Sequence, residues 1–177
     1  RDQMTQLQAQ AIAVNNLLYF CTLAARVIAL DPKSGQERWR FDTPVTVQLQ
    51  ADIPIKCRGV SYWESKSRSS TAKTPVAQTT CQQRIFVAGI GAHLYALDAN
   101  TGERCRDFGA DGAVDLNRNI GGYHDRGYGP TSAPVVAGNK VIVGARVMDN
   151  IRVDAPSGTV RAFDVITGKQ MWGWNPV

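Results

Sequence analysis

The chain has 177 residues, 44% of them hydrophobic, which fits one ordinary packed domain and excludes a disordered polymer. The net charge is +5, but Lys and Arg are scattered along the chain, unlike the concentrated basic face of a nucleic-acid reader. No stretch approaches the ~18–20 continuous apolar residues of a membrane span, and 16 Gly with 8 Pro favour a turn-rich, all-β architecture.

In chain order, an apolar run at residues 17–22 comes first and predicts a short strand. Residues 27–42 follow and read VIALDPKSGQERWRFD. The apolar stretch before Asp31 predicts a second strand. Asp31-x-x-x-Gly35 predicts a tight turn, because Asp bonds back to nearby backbone N–H groups and Gly takes the positive φ that turns often require. Trp39 and Phe41 then alternate onto one face of a third strand. The unit is a β-hairpin ending in an aromatic wedge.

Residues 43–80 form a polar insertion. Lys66, Arg68 and Lys73 sit among Ser and Thr there, the pattern of a solvated loop. The four cysteines, Cys21, Cys57, Cys81 and Cys105, have no C-x-x-C spacing, and only two His are present, which argues against a zinc or redox motif. Cys57 and Cys81 flank the stretch 64–80. A disulfide between them would tie the base of that loop in an oxidising compartment; buried free thiols are the other reading.

The hairpin then returns twice. Residues 94–109 read LYALDANTGERCRDFG after an apolar run at 84–89, and residues 160–175 read VRAFDVITGKQMWGWN after one at 141–145. The aspartates Asp31, Asp98 and Asp164 are 67 and 66 residues apart, and Gly35, Gly102 and Gly168 keep step. Trp39 and Trp172 match, with Arg106 in the middle copy. Each period predicts four short strands, which cannot bury both faces of their sheet alone; sheets repeated at fixed spacing stack on one another. The expected fold is therefore a β-propeller, about three blades covering residues 1–177. Repeats lie near 17–42, 84–109 and 141–175, with insertions at 43–80 and 110–131 on the rim where sites are built.

The x-A-L-D-x-x-x-G-x-x-x-W unit resembles the tryptophan-docking repeat of quinoprotein dehydrogenases. These are usually eight-bladed propellers that hold pyrroloquinoline quinone (PQQ) and a divalent cation, normally Ca²⁺ or Mg²⁺. The same repeat occurs in cofactor-free scaffold propellers that bind other proteins, so the segments between repeats matter more. Cys57-Arg58-Gly59-Val60-Ser61-Tyr62-Trp63 is similar to the family's R-G-x-[AS]-Y segment, whose Arg contacts the cofactor. A guanidinium suits a tricarboxylate quinone through paired charge-assisted hydrogen bonds. Tyr128-Gly129-Pro130-Thr131-Ser132-Ala133-Pro134 is similar to T-S-x-P, which assigns the Thr131 hydroxyl to the cofactor; a plain strand-entry turn is the alternative. Gly144-Ala145-Arg146-Val147-Met148-Asp149-Asn150 resembles the glucose-type V-T-D-N pattern, which makes Asn150 and Asp149 oxygen ligands for the cation.

The resemblance runs from about residue 7 to the end. Methanol-oxidising members carry two adjacent cysteines before the Arg segment; Gln50-Ala51-Asp52-Ile53 has none, and Cys57, Cys81 and Cys105 look like the membrane-bound glucose and quinate branch. Trp63, counted here with the cofactor-contacting residues, stands where glucose enzymes typically have His. Its indole has no acceptor or titratable group, so quinate, shikimate or another polyol is as well supported as glucose.

The resemblance implies sugar or cyclic-polyol oxidation in which the cation acts as Lewis acid and a carboxylate as general base, with electrons passed to ubiquinone. It implies a periplasmic location, with the parent anchored in the inner membrane through segments outside this sequence. Asp111, Asp115 and Asp125 lie in an insertion and match no base motif, so no catalytic residue is expected here. The chain opens on Arg1 with no evident signal peptide; the expectation is a piece of a longer protein, without turnover alone.

Overall fold

The computed structural model describes residues 8–22, 26–44, 56–66, 81–89, 91–121, 128–147 and 153–176. Strands β1 (Ile12–Val14), β2 (Leu17–Cys21), β3 (Val27–Leu30) and β4 (Glu37–Phe41) form one antiparallel sheet in the order β1-β2-β3-β4. Strands β5 (Ser61–Glu64), β6 (Gln83–Gly89), β7 (His93–Asp98) and β8 (Ala113–Asp115) form a second. A short pair, β9 (Tyr128–Gly129) and β12 (Arg146–Val147), precedes and interrupts the third sheet. That sheet contains β10 (Val135–Ala137), β11 (Lys140–Val143), β13 (Val160–Asp164) and β14 (Gln170–Trp174), in the order β10-β11-β13-β14. The described residues are all-β, as expected, with three four-stranded blades.

The repeated turn is built the same way three times. Asp31 Oδ1 accepts from the backbone N–H groups of Lys33 and Ser34 at 2.9 and 3.1 Å, and Gly35 N donates to Asp31 O at 2.8 Å. Asp98 repeats this with Asn100, Thr101 and Gly102, and Asp164 with Ile166, Thr167 and Gly168. The three glycines have φ of 69°, 76° and 68°, in the left-handed region a side chain disfavours. In the first and third blades the returning strand carries a register shift at the same place, after Ala29↔Trp39 and after Ala162↔Trp172.

The middle hairpin differs. Its returning segment keeps only the bridge Leu97↔Arg104, and the outer strand is instead β8, which pairs with the first half of β7. Arg106, at the Trp position, is exposed and pairs with Asp111, while Phe108 is fully buried. Thus β8 lies inside the stretch 110–131 that the sequence marks as insertion, and β5 inside 43–80. Both supply sheet rather than loop.

The sheets stack face to face, with one apolar core between each pair. At the first interface Trp39 lies over Gly102, where a Cβ would come within 2.5 Å of the ring. Its indole N–H donates to Ala99 O at 2.9 Å, and the Tyr19 hydroxyl donates to the same carbonyl at 3.1 Å. At the second interface backbone takes the place of indole. Gly109 N donates to Thr167 O at 2.9 Å, and the buried Arg84 donates to Ile166 O at 3.1 Å.

The disulfides are Cys21–Cys57 and Cys81–Cys105. The Cys57–Cys81 pairing and the free-thiol alternative are therefore both corrected. The reason is stacking: Cys57 belongs to the core between the first two blades, and Cys81 to the core between the second and third.

Candidate cofactor site

Antiparallel connectivity decides which loops share an end. In each blade the chain enters the first strand at the end where the second strand exits. In the third blade Val135 pairs with Ile142, so residues beyond Val143 emerge where residues 131–134 enter. In the first two blades the innermost segments run parallel, through the bridge Gln10↔Gly59, and β10 packs against β5. The approaches to β5 and β10 therefore lie together.

Arg58 ends the approach to β5, and Thr131 lies on the approach to β10. Arg58 is flanked by the buried Cys57, Gly59 and Val60, while its own side chain is exposed. Its Nη1 donates to Thr131 Oγ1 at 2.9 Å, joining two residues 73 positions apart. Arg58 makes no ion pair among the described residues. Among the described residues its side-chain partner is a neutral hydroxyl rather than a carboxylate, which suits an anionic ligand.

Asp149 and Asn150 lie outside the described residues. They follow β12, whose register partner β9 ends two residues before Thr131. The Nε of Arg146, on β12, is buried without a hydrogen-bond partner. No three His, Cys, Asp or Glu side chains cluster as a metal site among the described residues.

Trp63 has no hydrogen bond or ring contact to Arg58 or Thr131 among the described residues. It stands on β5 opposite Arg84, whose guanidinium carbon lies 6.0 Å from the indole centroid, and it packs against the core between the second and third blades. Asp111 pairs with Arg104 at 2.6 Å, and Asp115 with Arg118 at 3.5 Å, as surface carboxylates do. Asp125 lies outside the described residues.

Two supporting residues escaped sequence reasoning. Arg161, 2% exposed, donates to Leu116 O and Tyr128 Oη at 2.6 Å and to Arg118 O at 2.9 Å. It thereby ties β13 to β9, just ahead of Thr131. The available signal was a cation where the other repeats have Ile28 and Tyr95. Gln10 donates its backbone N–H to Arg58 O at 2.9 Å, a contact no side-chain pattern reveals.

Over residues 1–177 the sequence matches the family described as "PQQ: Glucose/ethanol/alcohol dehydrogenase, beta-propeller domain". The chain belongs to this family. Among curated relatives of this PQQ propeller domain, it is 38% identical to a quinate/shikimate dehydrogenase (quinone) of Acinetobacter baylyi, over 99% of this chain and 22% of the relative. It is 34% identical to quinoprotein glucose dehydrogenase A of Acinetobacter calcoaceticus, over 95% of this chain and 21% of the relative. The chain thus spans about a fifth of the length of these relatives. The crystal structure of quinohemoprotein alcohol dehydrogenase from Comamonas testosteroni has the same fold. It superposes with a TM-score of 0.69 at 22% identity, over 98% of this chain and 21% of that one.

Proposed function

We propose that this PQQ propeller segment is part of a dehydrogenase that uses PQQ to oxidise a hydroxyl of a sugar or cyclic polyol and passes the electrons to a quinone. The observation that carries the proposal is the Arg58–Thr131 hydrogen bond, which joins two family motifs across neighbouring blades, with no carboxylate paired to the guanidinium among the described residues.

These residues fit the cofactor. A guanidinium and a hydroxyl on adjacent blades can hold a carboxylate-bearing ring by its edge. PQQ, when bound, supplies the two-electron acceptor. Arg58 binds and orients it by charge. Thr131 fixes the Arg58 side chain and offers its own hydroxyl to the ring. Asp149 and Asn150, as carboxylate and amide oxygens, are the proposed ligands of Ca²⁺ or Mg²⁺. The general base is assigned to a longer parent protein, and this chain by itself is proposed to lack turnover.

Quinate or shikimate and glucose remain the substrate classes to compare; the 38% and 34% identities to relatives of the two kinds support both. With Trp63 packed on Arg84, the substrate preference is not assigned to its indole. Two disulfides support an oxidising compartment, hence the proposed periplasmic location, with ubiquinone as acceptor and a membrane anchor elsewhere in the parent. The test is reconstitution of the apo-parent with PQQ and Ca²⁺ or Mg²⁺, followed by dye reduction with glucose, quinate and shikimate. Activity that Arg58→Ala abolishes supports the enzyme. A parent that neither binds PQQ nor reduces dye is instead a cofactor-free scaffold for protein partners.

A further inference from the structure

Arg58 is held from three directions by groups outside its own strand. Cys57, its neighbour, is bonded to Cys21 at the end of β2 in the first blade. The Arg58 carbonyl accepts the Gln10 backbone N–H at 2.9 Å. Gly59 fits so closely between blades that a Cβ there would lie 3.2 Å from Ala133 Cβ and 3.3 Å from Gln10 O. Both half-cystines are buried, with Cys21 fully inaccessible and Cys57 2% exposed. The long flexible side chain of Arg58 has one orientation only if its backbone is fixed, and ligand affinity depends on that preorganisation.

We propose that the Cys21–Cys57 disulfide, together with the close fit at Gly59, is a positioning device for Arg58 that sets the protein's affinity for its carboxylate-bearing cofactor. The proposal rests on the cofactor reading above. The molecule contains its own control. Cys81–Cys105 is also buried and closes a comparable loop, 24 residues against 36, but belongs to the other core, whereas Cys57 and Val60, on either side of Arg58, lie in the first. Loss of either bridge lowers stability; only loss of Cys21–Cys57 releases Arg58.

The experiment is a PQQ titration of the full-length apo-parent with Ca²⁺ present, read by equilibrium dialysis and by tryptophan fluorescence. It is run below the melting temperature of every variant. Cys21→Ala/Cys57→Ala is expected to weaken binding about tenfold or more, and Cys81→Ala/Cys105→Ala to stay within about twofold of the parent. With Arg58→Ala in place, removing Cys21 and Cys57 is expected to cost less than about twofold further, because their effect acts through that side chain. Equal weakening by both cysteine pairs, or none by the first, overturns the proposal.

Should the first pair fail to fold, Gly59→Ala decides, since it disturbs the same segment with both disulfides intact. About tenfold weaker binding supports the device, and unchanged affinity refutes it. A parent that binds no PQQ before any substitution overturns the cofactor reading and this inference with it. That result differs from a binding parent whose variants bind equally well.

Discussion

Arg58 is an exposed cation that, among the described residues, donates to the neutral hydroxyl of Thr131, and its consequences belong to single side chains. Arg58→Ala in the parent is expected to weaken PQQ binding by about 10- to 100-fold, the value of one charge-assisted contact of ~1.5–3 kcal/mol. Thr131→Val, which keeps shape but loses the acceptor, should cost about tenfold or less. Isothermal titration of the apo-parent measures both. The turn aspartates make a pH prediction. The backbone N–H groups of Ser34 and Lys33 hold the Asp31 carboxyl below its ordinary 3.8. At Asp164, burial pushes upward but the Thr167 and Ile166 hydrogen bonds outweigh it, again lowering the value. A carboxyl lowered in the folded state contributes stability that is complete above the unfolded value and is lost as pH falls through the folded one. Denaturant melts should therefore show stability declining below about pH 4, and more shallowly in Asp31→Asn. Tyr19 gives the opposite limb. Burial first, then Tyr62 and Asp98, push it up to about 12, so its contribution is complete below pH 10 and lost on the way to 12.

Between residue and blade stand the hairpin and its wedge. Trp39→Ala removes a buried indole and its bond to Ala99 O, and should destabilise the chain by about 3–5 kcal/mol in thermal or urea unfolding. Gly102→Ala should cost about 3 kcal/mol or more, since the methyl meets the Trp39 ring and φ is +76°. Gly35→Ala, with the same turn geometry but open space around it, bears only the conformational penalty of about 1 kcal/mol. The same elements show what could be read from sequence. The hairpins were legible because Asp side chains and positive-φ glycines write a turn in local chemistry. The middle copy departed where Arg106 replaces Trp and Cys105 is drawn to Cys81, which moves the outer strand to residues 113–115. Neither β5 nor β8 was legible, since each is short and sits in polar surroundings. The disulfide pairing was illegible because stacking of blades, not spacing along the chain, brings Cys21 to Cys57.

At the scale of the whole molecule, stacking turns three weak sheets into two cores and gathers loops from different blades at one end. The motifs around Arg58 and Thr131 were legible as a resemblance; that one hydrogen-bonds the other depends on blade packing that no single segment encodes. On β14, Trp172 occupies the register that Trp39 uses for docking but is 39% exposed, and Trp174 beside it is 61% exposed. We expect a further blade of the longer parent to cover them, so Trp172 emission should shift to the blue and resist acrylamide quenching in the parent relative to this chain. The central claim is that the Arg58–Thr131 end holds an anionic quinone cofactor. Its most direct test is the binding of PQQ to the full-length apo-protein with Ca²⁺, comparing the unmodified protein with Arg58→Ala. Saturable binding that weakens at least about tenfold in the variant is the predicted result. Binding that is absent from the unmodified protein, or equally tight without Arg58, would contradict it.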